Sequence, residues 1–226
     1  MSTPNLLIRC LSHFFEWPVT ELSSPHNEQL KVVFHRGRYK LITEGAIYSF
    51  SDLYSNFRIA FERFKWSERK ADSCLILGLG MGSIPDMLVS VFRRKMKFTA
   101  VEIDEAVTYL ANTYVLGPKK IDVEVFTADA SSFLEWHEGQ YDLICSDVFV
   151  GDVIPEAMQT EEALAEMRRL LRPEGVVLFN RLNRFEADTK HNEQFFEVFK
   201  KVFPKGGHMD VSGNWMFVSD LSAFSV

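Results

Sequence analysis

Residues 75–82 read Leu75-Ile76-Leu77-Gly78-Leu79-Gly80-Met81-Gly82, and Val101-Glu102-Ile103-Asp104 follows about twenty residues later. A buried strand that turns sharply into a helix needs residues without a Cβ where a ligand approaches the backbone. An acid closing the next strand has two oxygens that can accept from both hydroxyls of a ribose. Together they point to a nucleoside. A dinucleotide-binding loop wants Gly-x-Gly-x-x-Gly, whereas here Ser83 stands in the last glycine slot and Gly82 comes one position early. An NAD-dependent oxidoreductase is therefore the poorer reading, and S-adenosylmethionine the better fit.

Two more strand ends carry acids. In Phe126-Thr127-Ala128-Asp129-Ala130, Asp129 is placed to accept from an exocyclic adenine amine beside Ala130. It is equally placed to cap a helix beginning near Ser131, and the two roles are compatible. In Asp142-Leu143-Ile144-Cys145-Ser146-Asp147, the final acid gains nothing from packing and must have a partner or water. Asp147 is thus the candidate catalytic group, where a transferable group meets its acceptor. Phe149 and Ile154 are expected to form an apolar lid, within a loop from Phe149 to Thr160 that decides the acceptor. Asp152 in that loop is assigned to the acceptor side. Asp104 reads as a helix cap, and Asp142 as support for a strand start.

Composition narrows the alternatives. The chain has 226 residues, 46% of them hydrophobic, enough for one sizeable α/β core and a small appended element. A formal charge of −6 argues against an open nucleic-acid groove, which needs clustered positive charge. Cys10, Cys74 and Cys145 are odd in number and far apart, so neither a disulfide framework nor a metal site is expected, and a reducing compartment is. His137, His191 and His208 have no spacing that puts two ligands on one face. No segment approaches about 18 uninterrupted apolar residues, and the reading is a cytoplasmic protein with no membrane partner.

The elements that hold these residues follow from periodicity. Leu30, Val32 and Phe34 alternate before a turn at Arg36-Gly37, and Tyr39, Leu41 and Ile47-Tyr48 continue around a second turn at Glu44-Gly45. This gives a small β-hairpin element over residues 1–51, with a face suited to a homodimer. Residues 52–72 read as a helix, capped by Asp52 and striped by Leu53, Phe57, Phe61 and Phe64, and then a polar linker. From 73 to 226 strand and helix alternate. Strands are expected over 74–77, 98–103, 123–126, 141–146 and 176–180, and helices over 83–92, 105–115, 160–171 and 192–202. That rhythm demands a mostly parallel sheet covered on both faces. A hairpin around Ser212-Gly213-Asn214 closes it.

These residues resemble the class I S-adenosylmethionine-dependent methyltransferase fold and, within it, the spermidine synthases (polyamine aminopropyltransferases), over about residues 41–180. The resemblance is carried by Leu41-Ile42-Thr43-Glu44-Gly45-Ala46-Ile47, Gly78 to Gly82, Val101 to Asp104, Ala128-Asp129-Ala130 and Leu171-Arg172-Pro173-Glu174-Gly175-Val176. It implies a Rossmann-like α/β domain with a seven-stranded sheet. It also implies S-adenosylmethionine or decarboxylated S-adenosylmethionine as co-substrate, with no metal. A methyl or aminopropyl group would pass from a sulfonium to a small amine acceptor at Asp147. Tyr54, in Tyr54-Ser55-Asn56, loosely matches an acceptor-side tyrosine of that family. The chain departs from the family after Asp147, where a second acid three residues on is replaced by Val150. A fold retained for nucleoside binding without catalysis is the alternative from another class.

Overall fold

The computed structural model describes residues 6–43 and 46–225. A short helix α1 (Leu6–Leu11) leads into four antiparallel strands that pair in chain order: β1 (Trp17–Leu22), β2 (Leu30–His35), β3 (Arg38–Thr43) and β4 (Ala46–Ser49). The β2–β3 turn has φ of 49° at Arg36 and 72° at Gly37, positive at both central residues as a tight twisted hairpin requires. The expected turn at Glu44-Gly45 lies outside the described residues. This sheet exceeds the expected hairpin by β1, an edge strand with a register shift between Pro18 and Thr20. Leu30, Val32 and Leu41 bury against Met81, Val107 and Leu110, which fixes the small sheet on the larger domain.

The aromatic stripe forms its helix later than expected. A 3-10 turn at Ser51–Leu53 comes first, and α2 (Ser55–Arg63) begins after Tyr54 in the cap position, so the helix does not start at Asp52. Leu53 falls on the exposed side, while Phe57, Phe61 and Phe64 are buried.

The main domain then runs β5 (Ser73–Leu77), α3 (Ser83–Ser90), β6 (Lys97–Glu102), α4 (Glu105–Ala111), a π-helical turn, α5 (Gly117–Lys119) and β7 (Val123–Thr127). It continues with α6 (Ala130–Trp136), β8 (Tyr141–Ser146), α7 (Glu161–Arg169), β9 (Leu171–Leu182), α8 (Glu186–Val202), β10 (Gly207–Asp210) and β11 (Asn214–Val218). The seven strands pair in the order β10-β11-β9-β8-β5-β6-β7. Five of them, β9 to β7 in that order, are mutually parallel, and β11 and β10 close the edge antiparallel. β5 and β8 are buried along their length with apolar centres, as strands covered on both faces must be.

Two boundaries differ most from the pattern read in the sequence. β9 starts at Leu171 because the Pro173–Gly175 segment forms a bulge, Tyr141 pairing with Leu171 and Leu143 already with Val176. α8 starts at Glu186, six residues before the apolar periodicity begins, through two polar turns. Arg181 anchors α8 to β9, donating to Asn192 Oδ1 at 2.6 Å and to Gln159 Oε1 at 2.8 Å with its guanidinium 4.2 Å from the Phe195 ring centroid. Burial pulls its pKa down to about 10. Cys74 and Cys145 sit buried with sulfurs 3.9 Å apart, beyond disulfide bonding distance. Among the described residues no helix is long and apolar enough to cross a membrane, and no group of three His, Cys, Asp or Glu side chains is arranged to hold a metal ion.

Candidate active site

The sheet reverses its winding between β5 and β8. β6 and β7 follow β5 on one side, and the chain then crosses to place β8 on the other. In open parallel sheets a ligand crevice forms at such a switch, beyond the carboxyl ends of the strands. Gly78 and Asp147 are the residues that follow these two strands. The Asp147 N–H donates to the Leu77 carbonyl at 2.8 Å, drawing the two strand ends together. Gly78 has φ of 84°, and a Cβ there would collide with the Asp147 carbonyl oxygen. Glycine is therefore required at 78 by the chain's own neighbouring strand.

A cleft of about 380 Å³ opens at this switch. One half is lined by Gly78, Gly80, Glu102, Ile103, Asp129 and Ala130. Glu102 is held from both sides, Oε2 accepting from the Gly80 N–H at 3.1 Å and Oε1 from the Asp104 N–H at 3.2 Å. Burial raises its pKa, and these two N–H donors oppose the rise. Each oxygen keeps acceptor capacity for a diol. Asp104 caps α4 through the Ala106 N–H and also accepts from Ser24 and Asn27 of the β1–β2 loop, so the small sheet braces the segment that orients Glu102. Asp129 caps α6, with Oδ1 accepting from Ser132 N–H at 2.9 Å and from the Ser131 hydroxyl. The expected cap is present, and the carboxylate lines the cleft. Gly82 lies apart from these residues. With φ of 79° it begins α3, and a Cβ there would press on the Leu116 side chain, so its role is to let α3 pack.

The other half is lined by Tyr54, Asp147, Phe149, Asp152, Asn180 and Arg184, with Asn56 and Asn214 beside them. Asp147 Oδ1 accepts from Asn180 Nδ2 at 2.8 Å and from the Tyr54 hydroxyl at 3.2 Å. Asn214 Nδ2 donates to Asn180 Oδ1 at 2.9 Å, which orients the Asn180 amide. Among the described residues no group donates to Oδ2. Burial lifts the Asp147 pKa from 3.8 to about 6 against the pull of Asn180 and Tyr54. Burial, followed by the Asp147 charge, raises the Tyr54 pKa well above its ordinary value, so Tyr54 remains a donor.

Between Val150 and Val153 the loop folds into a tight hairpin with Gly151 at φ 60°. Phe149 and Asp152 line the cleft, but Ile154 turns into the core beside Met158 and Leu164, correcting its assignment to a lid. Asp152 forms an ion pair with Arg184 at 2.7 Å, both side chains about half exposed. Asn56, Asn180, Asn214 and Arg184 escaped the sequence reading. Asn180 alone offered a signal, as a polar residue ending the apolar run Val176–Phe179, the same signal that marked Asp147.

Known proteins resemble the chain in sequence and in fold. Residues 75–179 match the family described as methyltransferase domain. The chain is 33% identical over 136 residues to a probable polyamine aminopropyl transferase of Bifidobacterium longum, covering 60% of this chain and 30% of that protein. It is 31% identical over 137 residues to a polyamine aminopropyltransferase of Vibrio vulnificus, covering 59% and 46%. The chain thus matches less than half the length of these curated relatives. Spermidine synthase from Thermotoga maritima superposes with a TM-score of 0.67 at 17% identity, over 92% of this chain and 76% of that one. Human methyltransferase-like protein 13 in complex with SAH superposes with a TM-score of 0.58 at 24% identity, over 67% and 72%.

The fold is that of the class I S-adenosylmethionine-dependent methyltransferases, with its seven-stranded, mostly parallel sheet. Within that fold the chain is similar in sequence to the polyamine aminopropyltransferases over about 60% of its length, and its fold superposes on that of spermidine synthase.

Proposed function

We propose that this chain is a transferase that binds S-adenosylmethionine or its decarboxylated form and passes a methyl or aminopropyl group to a small amine. The observation that carries the reading is the pairing, in one cleft, of a Glu102 carboxylate fixed by the glycine loop with an Asp147 carboxylate whose second oxygen is unclaimed. Glu102 holds the ribose diol, Asp129 Oδ2 accepts from the adenine amine, and Ile103 and Ala130 give the base apolar contact. The relatives' names and the SAH bound to the human protein support the choice of nucleoside.

The chemistry asks the protein for alignment and a place for a proton. An acceptor arriving as an ammonium is drawn to Asp147 Oδ2 and gives it a proton. The freed nitrogen lone pair attacks the carbon bound to the sulfonium. The carbon–sulfur bond breaks with its electrons going to sulfur, which leaves as a neutral thioether. Asn180 and Tyr54 hold Oδ1, so proton acceptance falls to the oxygen that faces the cleft. Phe149 at the cleft wall excludes water from the reacting atoms.

The test is turnover followed by mass spectrometry with each sulfonium donor and a panel of amines. Asp147→Asn is expected to abolish transfer while nucleoside affinity stays within about threefold, because the substitution removes charge from the acceptor half only. Nucleoside binding with no transfer to any amine would make the chain a binding protein, and tighter binding of NAD than of either sulfonium would replace the reading altogether.

A further inference from the structure

The two ends of the acceptor half differ in charge. Asp147 has no cationic partner among the described residues, and its free oxygen calls for an ammonium. At the rim the second acid, Asp152, is already neutralised by Arg184. Arg184 is the sole cationic side chain among the described residues lining the cleft. The same cleft is lined by the amides of Asn56, Asn180 and Asn214, which hydrogen-bond without preferring a charge. Val150, where a second acid would serve a diamine, is 66% exposed and offers a second ammonium nothing.

A diamine brings two positive charges, and to reach the acid at the rim its far end must compete with the guanidinium already paired to Asp152. Such a repulsive element selects against one ligand as effectively as a new contact selects for another. An anion is welcomed there. Arg184 spends one Nη2–H on Asp152 at 2.7 Å, and its Nε–H and Nη1–H groups have no acceptor among the described residues. An exposed ion pair of this kind is weak, so a ligand carboxylate can join or displace Asp152.

We propose that the acceptor is a monoamine bearing a carboxylate at its far end, with the amine at Asp147 and the carboxylate on the Arg184 guanidinium. This rests on Asp147 as the amine-side acid, and it narrows the acceptor from amines at large to amino acids in the broad chemical sense. Asp152 then acts as a placeholder that keeps Arg184 at the rim until the acceptor arrives.

The experiment is calorimetric titration of the protein loaded with S-adenosylhomocysteine, using 4-aminobutanoate, 5-aminopentanoate, 1,4-diaminobutane and 1-butylamine as probes. The better amino acid is expected to bind at least about tenfold tighter than the diamine or the monoamine, the scale of one charge-assisted contact. Arg184→Ala should lose roughly that factor for the amino acids and nothing for butylamine. With Asp152 released, the same variant should bind the diamine more tightly than the wild type does. Arg184 is exposed, and a melting curve for each variant confirms that the fold survives. The proposal is overturned if the wild type takes the diamine at least as tightly as the amino acids, binds none of the probes, or keeps its selectivity in Arg184→Ala. Failure of S-adenosylhomocysteine to bind overturns the nucleoside reading as well, whereas nucleoside binding without amino-acid preference removes this inference alone.

Discussion

Replacing Asp147 by Asn should make the protein more stable and inactive, and the gain should depend on pH. A carboxyl whose folded pKa lies above its unfolded value binds its proton more tightly in the fold. For Asp147 the values are 3.8 and about 6, with burial as the main cause. Stability from this group is therefore complete below about pH 3.8 and is lost as pH rises to about 6. That gap corresponds to roughly 3 kcal/mol against the folded state at neutral pH, an upper limit because the cleft admits solvent. Asparagine mimics the protonated acid in shape, keeping an oxygen for Asn180 and Tyr54 and carrying no charge to desolvate. Asp147→Asn is thus expected to gain about 1–3 kcal/mol at pH 8 and close to nothing at pH 4, the first corresponding to a melting temperature higher by about 3–10 °C for a chain of this size. Thermal and urea unfolding of both proteins across pH 4–8 measures it. A variant equally or less stable than wild type at pH 8, or a gain that does not vary with pH, would refute the claim that Asp147 is held ionised against its surroundings.

The same carboxylate should set the acid side of the activity profile. Transfer needs Asp147 ionised, so kcat/KM is expected to fall below about pH 6. Asn180→Ala removes a donor that favours the ionised form, which should move that limb to higher pH; Asn214→Ala should move it the same way by less, and an unmoved limb in both would detach them from Asp147. Gly78→Ala forces a left-handed φ on a residue with a Cβ and drives it into the Asp147 carbonyl, with an expected loss of roughly 3 kcal/mol or more in urea unfolding. Asp104→Ala removes the α4 cap and the tie to Ser24 and Asn27. Faster amide exchange across β1 and β2 together with weaker nucleoside binding is expected, and exchange confined to α4 would show that the small sheet is not braced there.

The glycine-lined half of the cleft was legible because its information is local. Gly78 and Gly80 follow β5, Glu102 ends β6 and Asp129 lies two residues past β7, and in a parallel sheet all such positions lie at the same edge. Asp147 was legible for the same reason. Ile154 misled because apolar character in a loop does not say whether the side chain faces the cleft or the core. Gly82 misled because a glycine can serve helix packing as well as a ligand. The amide chain from Asn214 through Asn180 to Asp147 depends on an antiparallel pairing that sets Met216 opposite Asn180, and such long-range register is absent from any short window. β1 was obscured by Pro18 and by a burial pattern in which no residue is fully covered.

The central claim is that a nucleoside lies over the glycine bend with its sugar held by Glu102. Calorimetric titration with S-adenosylhomocysteine of wild type, Glu102→Ala and Asp147→Asn tests it most directly. One site per chain is expected in the wild type, weakened about 10- to 100-fold by loss of the charged acceptor in Glu102→Ala and nearly unchanged in Asp147→Asn. No binding by the wild type, or the same loss in both variants, would contradict the account.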